Sequence, residues 1–523
     1  MGASSRVALG ILVSRITGLL RERVIAHYLG SQTIVADAFR AAIRIPNLLN
    51  NLFGEGVLSA SFITVYSKLR ATQDDDAADD LAAAIFGILS LLCAVLVLAG
   101  IVFTPYLVDV IALGFTGERR DLTIQLARVV FPGTGLLVMS AWCLGILNSH
   151  RRFLLSYTAP VAMNCVMIAA LVLFGARADQ LQLVVDLSWA YVVGGALQFL
   201  VQLPTVLKLL PEFRPMLDLR SPAVRAVFRN FGPVFISRGV VQVSAMVDSM
   251  IASLLPLGAV ASLGYGQIIS VLPVSLFSMS VSAAELPALS SAVGSREEIA
   301  DFLQKRLSTG LRRIAFFVVP SAIAFLILGD VLVAALYQGG LFQHADVAYV
   351  WAVLAGSSVG LLATSLGRLY SSAFYALLDT KTPLRFAIVR VALTTALGYF
   401  FALPLPRWLG IPQEWGVAGL TASAGIAGWV EFVLLRRGLA NRIGGTPLST
   451  EFLTKLWSMA IAAGMLGFSV KYLVGTTHPE LTAAVVIPVY GITYFAGTAY
   501  WRIPESQNVI TSVLRRVGLQ PRL

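Results

Sequence analysis

Apolar residues fall along this chain in long blocks, and a helix needs about 20 of them to cross a bilayer. About fourteen such spans can be marked, at residues 7–29, 33–66, 81–104, 122–148, 154–176, 184–207, 231–254, 258–290, 310–335, 347–376, 384–404, 415–435, 453–474 and 481–501. The pattern predicts an all-α polytopic membrane protein. Polar positions inside the blocks are the more informative half of the pattern. Between residues 37 and 55, Asp37, Arg40, Arg44, Asn47, Asn51 and Glu55 recur at steps of three or four. At about 100° per residue all six fall within roughly 80° of arc. The other faces carry Phe39, Ile43, Ile45, Leu48, Leu49 and Leu52. A charge at mid-bilayer costs at least about 2.5–3.5 kcal/mol, so the stripe must face a water-filled cavity or partner charges, and marks a functional site.

Composition agrees with this reading. Charged residues make up 13% of the 523 and hydrophobic residues 57%, with a mean hydropathy of +0.79, values a soluble fold of this size would not keep in solution. The opening MGASSRVALGILVSR carries Arg15 within its apolar stretch and no small-residue cleavage site, so it reads as a first span and not as a removable signal. With the N-terminus inside, even-numbered connections and both tails hold about 25 of the 39 Lys and Arg, against about 5 in odd-numbered loops. Both termini are therefore expected in the cytoplasm, and most of the net +11 is topology, not a nucleic-acid patch. The basic cytoplasmic face would also meet anionic membrane lipids.

A faint repeat runs through the chain. Ser14-Arg15 recurs as Ser237-Arg238 after an offset of about 223, Ile45-Pro46 is echoed by Leu272-Pro273, and the turn Leu147–Phe153 by Leu378–Pro383. It suggests two pseudo-symmetric six-helix lobes, 1–215 and 216–445, with two extra helices and a tail at 446–523. Repeats of this kind fit alternating-access transporters, in which interrupted helices carry the site. Enzymatic chemistry finds little support. Asp75-Asp76-Ala77-Ala78-Asp79 has the letters of a diphosphate-magnesium motif, but it is expected in a solvated cytoplasmic loop without a second acidic cluster. His27, His150, His344 and His478 are isolated, and Cys93, Cys143 and Cys165 read as packing residues, so no metal or cofactor is expected.

Several segments together carry a family resemblance. SRITGLLRERVIAHYLG at 14–30 and ADAFRAAIRIPNLLNNLFGEGVLSASFITVYSKL at 36–69 are similar to the start of the MurJ (MviN) lipid II flippases, of the multidrug and polysaccharide exporter superfamily. GILNSHRRF with Pro160, RNFGPVF at 229–235, ELPALS at 285–290, LYQGGLF at 336–342 and FYALLDTKTPLRFAI at 374–388 follow in order, over roughly the first 440 residues. The resemblance implies two six-helix lobes around a cavity, two further helices beside a lipid-tail groove, and passage of undecaprenyl-diphosphate-linked peptidoglycan precursor, lipid II, between leaflets of the bacterial inner membrane. It implies Arg15, Arg21, Asp37, Arg44 and Asn47 as substrate-binding residues. Arginine suits the diphosphate because it offers several fixed donors. Arg40, Asn51 and Glu55 would support them, with Asp37 and Glu55 pairing with arginine in the empty cavity. The competing reading is static inter-helix ion pairing, the favoured one for Arg40 and Glu22.

The chain departs from the family at Asn50, where a basic residue is common, and at Tyr265–Ile269, where an arginine-containing pattern is expected. Arg238 and Glu285 are charged where uncharged residues are expected. Arg238 is thus a candidate sixth ligand, with Asp248 and Glu285 as supports or as its static partners. Pro46, Pro273, Asp379, Thr380, Lys381 and Pro383 are the expected hinge residues, with Thr380 or Thr382 capping the helix after the turn. A coupling ion or the membrane potential could drive the cycle, and the cell-wall synthesis machinery is a further candidate partner. Exporters of another polyprenyl-diphosphate glycan, or a cation-coupled drug antiporter, remain the alternatives. An arginine stripe argues against organic-cation cargo.

Overall fold

The computed structural model describes residues 3–54, 58–72, 74–176, 179–211, 213–290, 295–445, 448–475 and 478–516. It describes backbone only at 3–9, 59–60, 233–234, 236–238, 240–241, 287–288, 290, 296, 510 and 512–516. Glu55 lies outside these residues, and so does the side chain of Arg238.

The described chain is helical and contains no strand. In order, the helices are α1 (Ala3–Leu29), α2 (Ile34–Phe53), α3 (Thr64–Ala71), α4 (Asp75–Ile111), α5 (Gly117–Ser149), α6 (Phe153–Phe174), α7 (Gln180–Leu209), α8 (Pro222–Ser253), α9 (Ala259–Pro273) and α10 (Ser280–Ser290). They continue as α11 (Arg296–Ile327), α12 (Gly329–Tyr337), α13 (His344–Ala376), α14 (Lys381–Ala402), α15 (Pro404–Leu409), α16 (Gly416–Ile443), α17 (Thr450–Val474), α18 (Pro479–Tyr500) and α19 (Pro504–Arg516). Among the described residues, eleven helices are long and apolar enough to span a membrane. Three expected spans, at α1, α2 and α8, are helical but do not meet that criterion, and they are the ones crowded with Arg, Asp and Glu. Large apolar side chains stand exposed along α4, among them Leu91, Val95, Leu98, Val102 and Phe103. A patch of that size has no place in water and suits lipid.

The expected spans at 33–66 and 258–290 are not continuous α-helices. A π-helical turn, Ser59–Ile63, separates α2 from α3, and another, Val274–Met279, follows Pro273 and separates α9 from α10. Such turns widen a helix locally and recur at functional sites. The aspartate run expected in a loop instead opens a helix. Asp74 caps α4 by accepting from Ala77 N at 3.3 Å, and Asp75 and Asp76 occupy the first turn, where the helix dipole favours carboxylates.

By contacts the chain forms two compact units, Met1–Ala261 with Gly339–Phe342, and Ser262–Gln338 with Gln343–Leu523. The first unit runs past residue 215, the expected lobe boundary, and takes in α8. In it α5 packs against α2, α4 and α7, and α1 against α6. Trp142 is fully buried, donates from Nε1 to Ala82 O at 3.2 Å, and meets Phe86 and Phe213. Gly133 and Gly195 let α5 and α7 approach until a Cβ on Gly195 would lie 3.0 Å from the Gly133 carbonyl oxygen. In the second unit α13 and α16 form the tightest seam, where a Cβ on Gly360 would lie 2.3 Å from Gly425 Cα. Cys93 and Cys143 are buried free thiols, whereas Cys165 is exposed and not a core residue.

The repeat emerges more sharply in backbone geometry than in letters. α5 and α13 end in the same motif, with a left-handed residue, Arg151 at φ 59° and Leu378 at φ 59°. The next amides, Arg152 N and Asp379 N, return to Leu147 O at 2.8 Å and Phe374 O at 2.9 Å. Subtracting 151 from 378 gives an offset of 227, the same as between Pro46 and Pro273. The turn pairing expected from the letters, Leu147 with Leu378, is therefore shifted by four residues.

Candidate functional site

The stripe on α2 meets a different neighbour at almost every position, all within the first unit. Arg40, one turn into the helix from Asp37, donates from Nη2 to Glu22 Oε2 of α1 at 2.6 Å. Arg21 donates to the other oxygen, Oε1, at 2.6 Å, and through Nη1 to Asn164 Oδ1 of α6 at 3.0 Å. Asn164 in turn donates to Thr17 Oγ1 at 3.1 Å. Glu22 is thus a buried carboxylate shared by two guanidiniums, and the expected Arg40–Glu22 pair is present. Further along, Asn47 accepts from Tyr191 Oη of α7 at 3.1 Å.

A second cluster joins α2 to α8. Arg44 donates from Nη2 to Ala245 O at 2.7 Å and interacts electrostatically with Asp248. Asn51 donates to Gln242 Oε1 at 3.1 Å, and Phe53 stacks on Phe231 and packs at a tilt against Phe235 of the RNFGPVF segment. Asp248, expected as a support or a partner of Arg238, faces Arg44. The other expected partner, Glu285, is buried with Arg306 Nε at 3.5 Å in the second unit.

Asp37 is placed differently from the arginines with which its arc groups it. Its carboxylate is fully buried and accepts from Gly258 N, just before α9, and from Ala261 N in its first turn, at 2.8 Å each. Arg119, at the start of α5, pairs with it at 2.9 Å and stacks over Phe115 at 3.6 Å. A carboxylate on free helix-start amides satisfies donors that would otherwise be orphaned. The geometry makes Asp37 a cap and an ion-pair partner.

Arg15 differs again. Its side chain is exposed, and it has no carboxylate partner among the described residues. Six residues separate it from Arg21, about 9 Å along the helix and roughly 120° around it, so the two do not share a face. Of the hinge residues, Pro46 lies buried within α2 and Pro273 ends α9 at the π turn. Asp379, not Thr380 or Thr382, caps α14: it accepts from Lys381 N and Thr382 N at 3.0 Å each, from Thr382 Oγ1 at 2.6 Å, and from Arg442 of α16. Those donors hold its carboxyl well below the usual range, at about 2. Thr380 makes no side-chain cap bond, and Pro383 sits buried in the first turn.

The letters alone did not mark Glu22 as the centre of a three-helix cluster with Asn164, nor Arg119 as the partner of Asp37, nor Tyr191 as the donor to Asn47. They also missed a charged group in the second unit, where Arg390 donates to Glu431 at 3.1 Å beside Arg368. Among the described residues no cluster of His, Cys, Asp and Glu has metal-site geometry.

Long apolar helices, two of them broken by π turns, built around intramembrane charge clusters, define a multi-pass membrane protein with a transporter fold. Solved structures share that fold. A lipid II flippase MurJ in an inward closed conformation superposes with a TM-score of 0.78 at 21% identity, covering 95% of this chain and 98% of that one. An inward-facing multidrug resistance MATE-family transporter of the MOP superfamily gives 0.64 at 17% identity, covering 84% and 99%. The chain belongs to the lipid II flippase MurJ family, which matches residues 25–490. A Burkholderia cenocepacia lipid II flippase MurJ is 34% identical over 441 residues, 82% of each chain. A probable lipid II flippase MurJ of Rhizobium tropici is 31% identical over 478 residues, 90% of this chain and 86% of that one.

Proposed function

We propose that this protein moves lipid II from the inner to the outer leaflet of the bacterial inner membrane, by alternating access of two six-helix lobes with both termini in the cytoplasm. Beyond family membership, one observation carries the reading. In the first-unit clusters four guanidiniums, of Arg21, Arg40, Arg44 and Arg119, meet three carboxylates, of Glu22, Asp37 and Asp248, and counting Arg15, exposed on α1 outside those pairings, two positive charges are in excess. That excess balances a doubly charged diphosphate and disfavours an organic cation.

The roles then divide. Arg15 is the arginine free to meet the diphosphate, Arg21 and Arg40 exchange part of their shared carboxylate for it, and Arg44 and Asn47 hold α2 against α8 and α7 until the substrate enters. Asp37, with Arg119, positions the start of α9. Arg238 would add a cation from α8, and Glu285, Asn51 and Glu55 support the walls. The π turns beside Pro273 and after α2, with the Asp379 turn, supply the bending points. The cycle itself needs no catalytic residue, metal or cofactor and draws on a coupling ion or the membrane potential. The cell-wall synthesis machinery receives the product.

Depletion tests this reading. Loss of the protein should accumulate lipid II that is inaccessible to a probe confined to the outer leaflet, and re-expression should restore access. Unchanged outer-leaflet lipid II, or accumulation of an unextended polyprenyl acceptor, would refute it.

A further inference from the structure

A second cationic feature shares no residue with these clusters and lies at the turn between α5 and α6. Arg151, Arg152, Phe153, Leu154, Leu155 and Thr205 line a cavity of about 340 Å³. Both arginines are exposed, and among the described residues neither has a carboxylate partner. Arg151 is held in the left-handed region and Arg152 follows it, so the backbone motif fixes where the two side chains start. The floor and lip are apolar: Leu155 is half-buried and Leu154 is 44% exposed. Thr205 adds a hydroxyl from α7. Charge at the rim and hydrocarbon beside it, at the end of two spans, is the chemistry of a phospholipid at the interface. By the positive-inside rule this end faces the cytoplasm.

The repeat supplies an internal control. At the related turn of the second unit a cavity of about 550 Å³ is lined by Ile299, Ala300, Leu377, Arg442 and Ile443. There the positions of Arg151 and Arg152 are held by Leu378 and Asp379, and the arginine, Arg442, is paired with Asp379. One cavity therefore has two uncompensated cations and its counterpart has none.

We propose that the Arg151–Arg152 cavity binds the phosphate headgroup of an anionic glycerophospholipid, with the acyl chains lying along Leu154. The test uses the full chain in nanodiscs and compares retention of phosphatidylglycerol with phosphatidylcholine. Wild-type protein should prefer phosphatidylglycerol, and the preference should fade at high salt. Arg151→Ala with Arg152→Ala should weaken it roughly 30-fold. The double lysine variant should keep most of it, and Arg442→Ala should leave it unchanged. An alanine pair that elutes normally and keeps the full preference would overturn the proposal. So would a wild-type preference that survives molar salt, or displacement of the lipid by millimolar inorganic phosphate, which would make the site one for soluble phosphate. Should the alanine pair fail to fold, the salt series on wild type and the lysine pair still decide.

Discussion

Asp37 separates two mechanisms that predict opposite phenotypes, and Asp37→Asn distinguishes them. The amide keeps the shape and one acceptor oxygen but loses the charge. Of the two 2.8 Å bonds from Gly258 N and Ala261 N one is then left with a neutral acceptor and the other faces an NH2 donor, and Arg119, held over Phe115, loses its counter-ion. A charge-assisted hydrogen bond contributes about 1.5–3 kcal/mol, and breaking a buried ion pair from one side costs about 3–5 kcal/mol in all. Against a typical total of about 5–15 kcal/mol this is a large fraction, so Asp37→Asn should lower membrane abundance and the midpoint of thermal unfolding in detergent. Arg119→Met should do the same. The double variant should be less destabilised than the two losses added together, by about 1 kcal/mol or more, because the second change removes a charge that the first has already stranded. Normal abundance and an unshifted midpoint for Asp37→Asn, with transport abolished, would refute the capping role and return Asp37 to the substrate path.

Arg15→Ala removes a side chain without a carboxylate partner, so it should leave abundance near normal while abolishing complementation of a flippase-deficient strain; full complementation would count against the excess-charge reading. At the Asp379 turn the carboxyl is depressed to about 2, so its contribution is present above the unfolded value near 4 and is lost as pH falls through about 2. Protection of the α14 amides, taken relative to their intrinsic exchange rates at each pH, should therefore hold at pH 5 and fall below pH 4, and Asp379→Ala, costing about 1 kcal/mol of capping, should remove that fall. Gly425→Ala places a Cβ 2.6 Å from Gly360 N, so it should force α13 and α16 apart and cost about 1–3 kcal/mol, read as a lower thermal midpoint.

Much of the architecture was legible in the sequence because it follows from one-dimensional quantities. Block length marked helices at every expected span, and the step of three or four on α2 found residues that do carry the polar contacts. Period alone assigns a residue to a face of its own helix and says nothing of what faces it. Asp37 and Arg40 sit three residues apart on one arc, yet one meets backbone amides and Arg119 and the other Glu22. Arg119 was missed because it precedes the expected span at 122–148. The π turns were missed because five or six residues leave no periodic trace. At Asp379 the choice of cap turned on which side chain points back at the amides, and Thr380 and Asp379 are both good cap residues by type.

The charges of α1 and α2 also bear on how the chain is made. Each of Arg21, Glu22 and Arg40 would cost about 2.5–3.5 kcal/mol at the centre of a helix released alone into lipid. Glu22 has Arg21 beside it on α1 and meets Arg40 only 18 residues later in the chain, so the carboxylate gains its second guanidinium as soon as α2 follows α1 out of the ribosome. The two helices should therefore leave the insertion channel as a hairpin. α8, whose Ala245 carbonyl accepts from Arg44, reaches the bilayer with that donor already waiting. A chain stalled after α1 should remain extractable from the membrane, and one stalled after α2 should not.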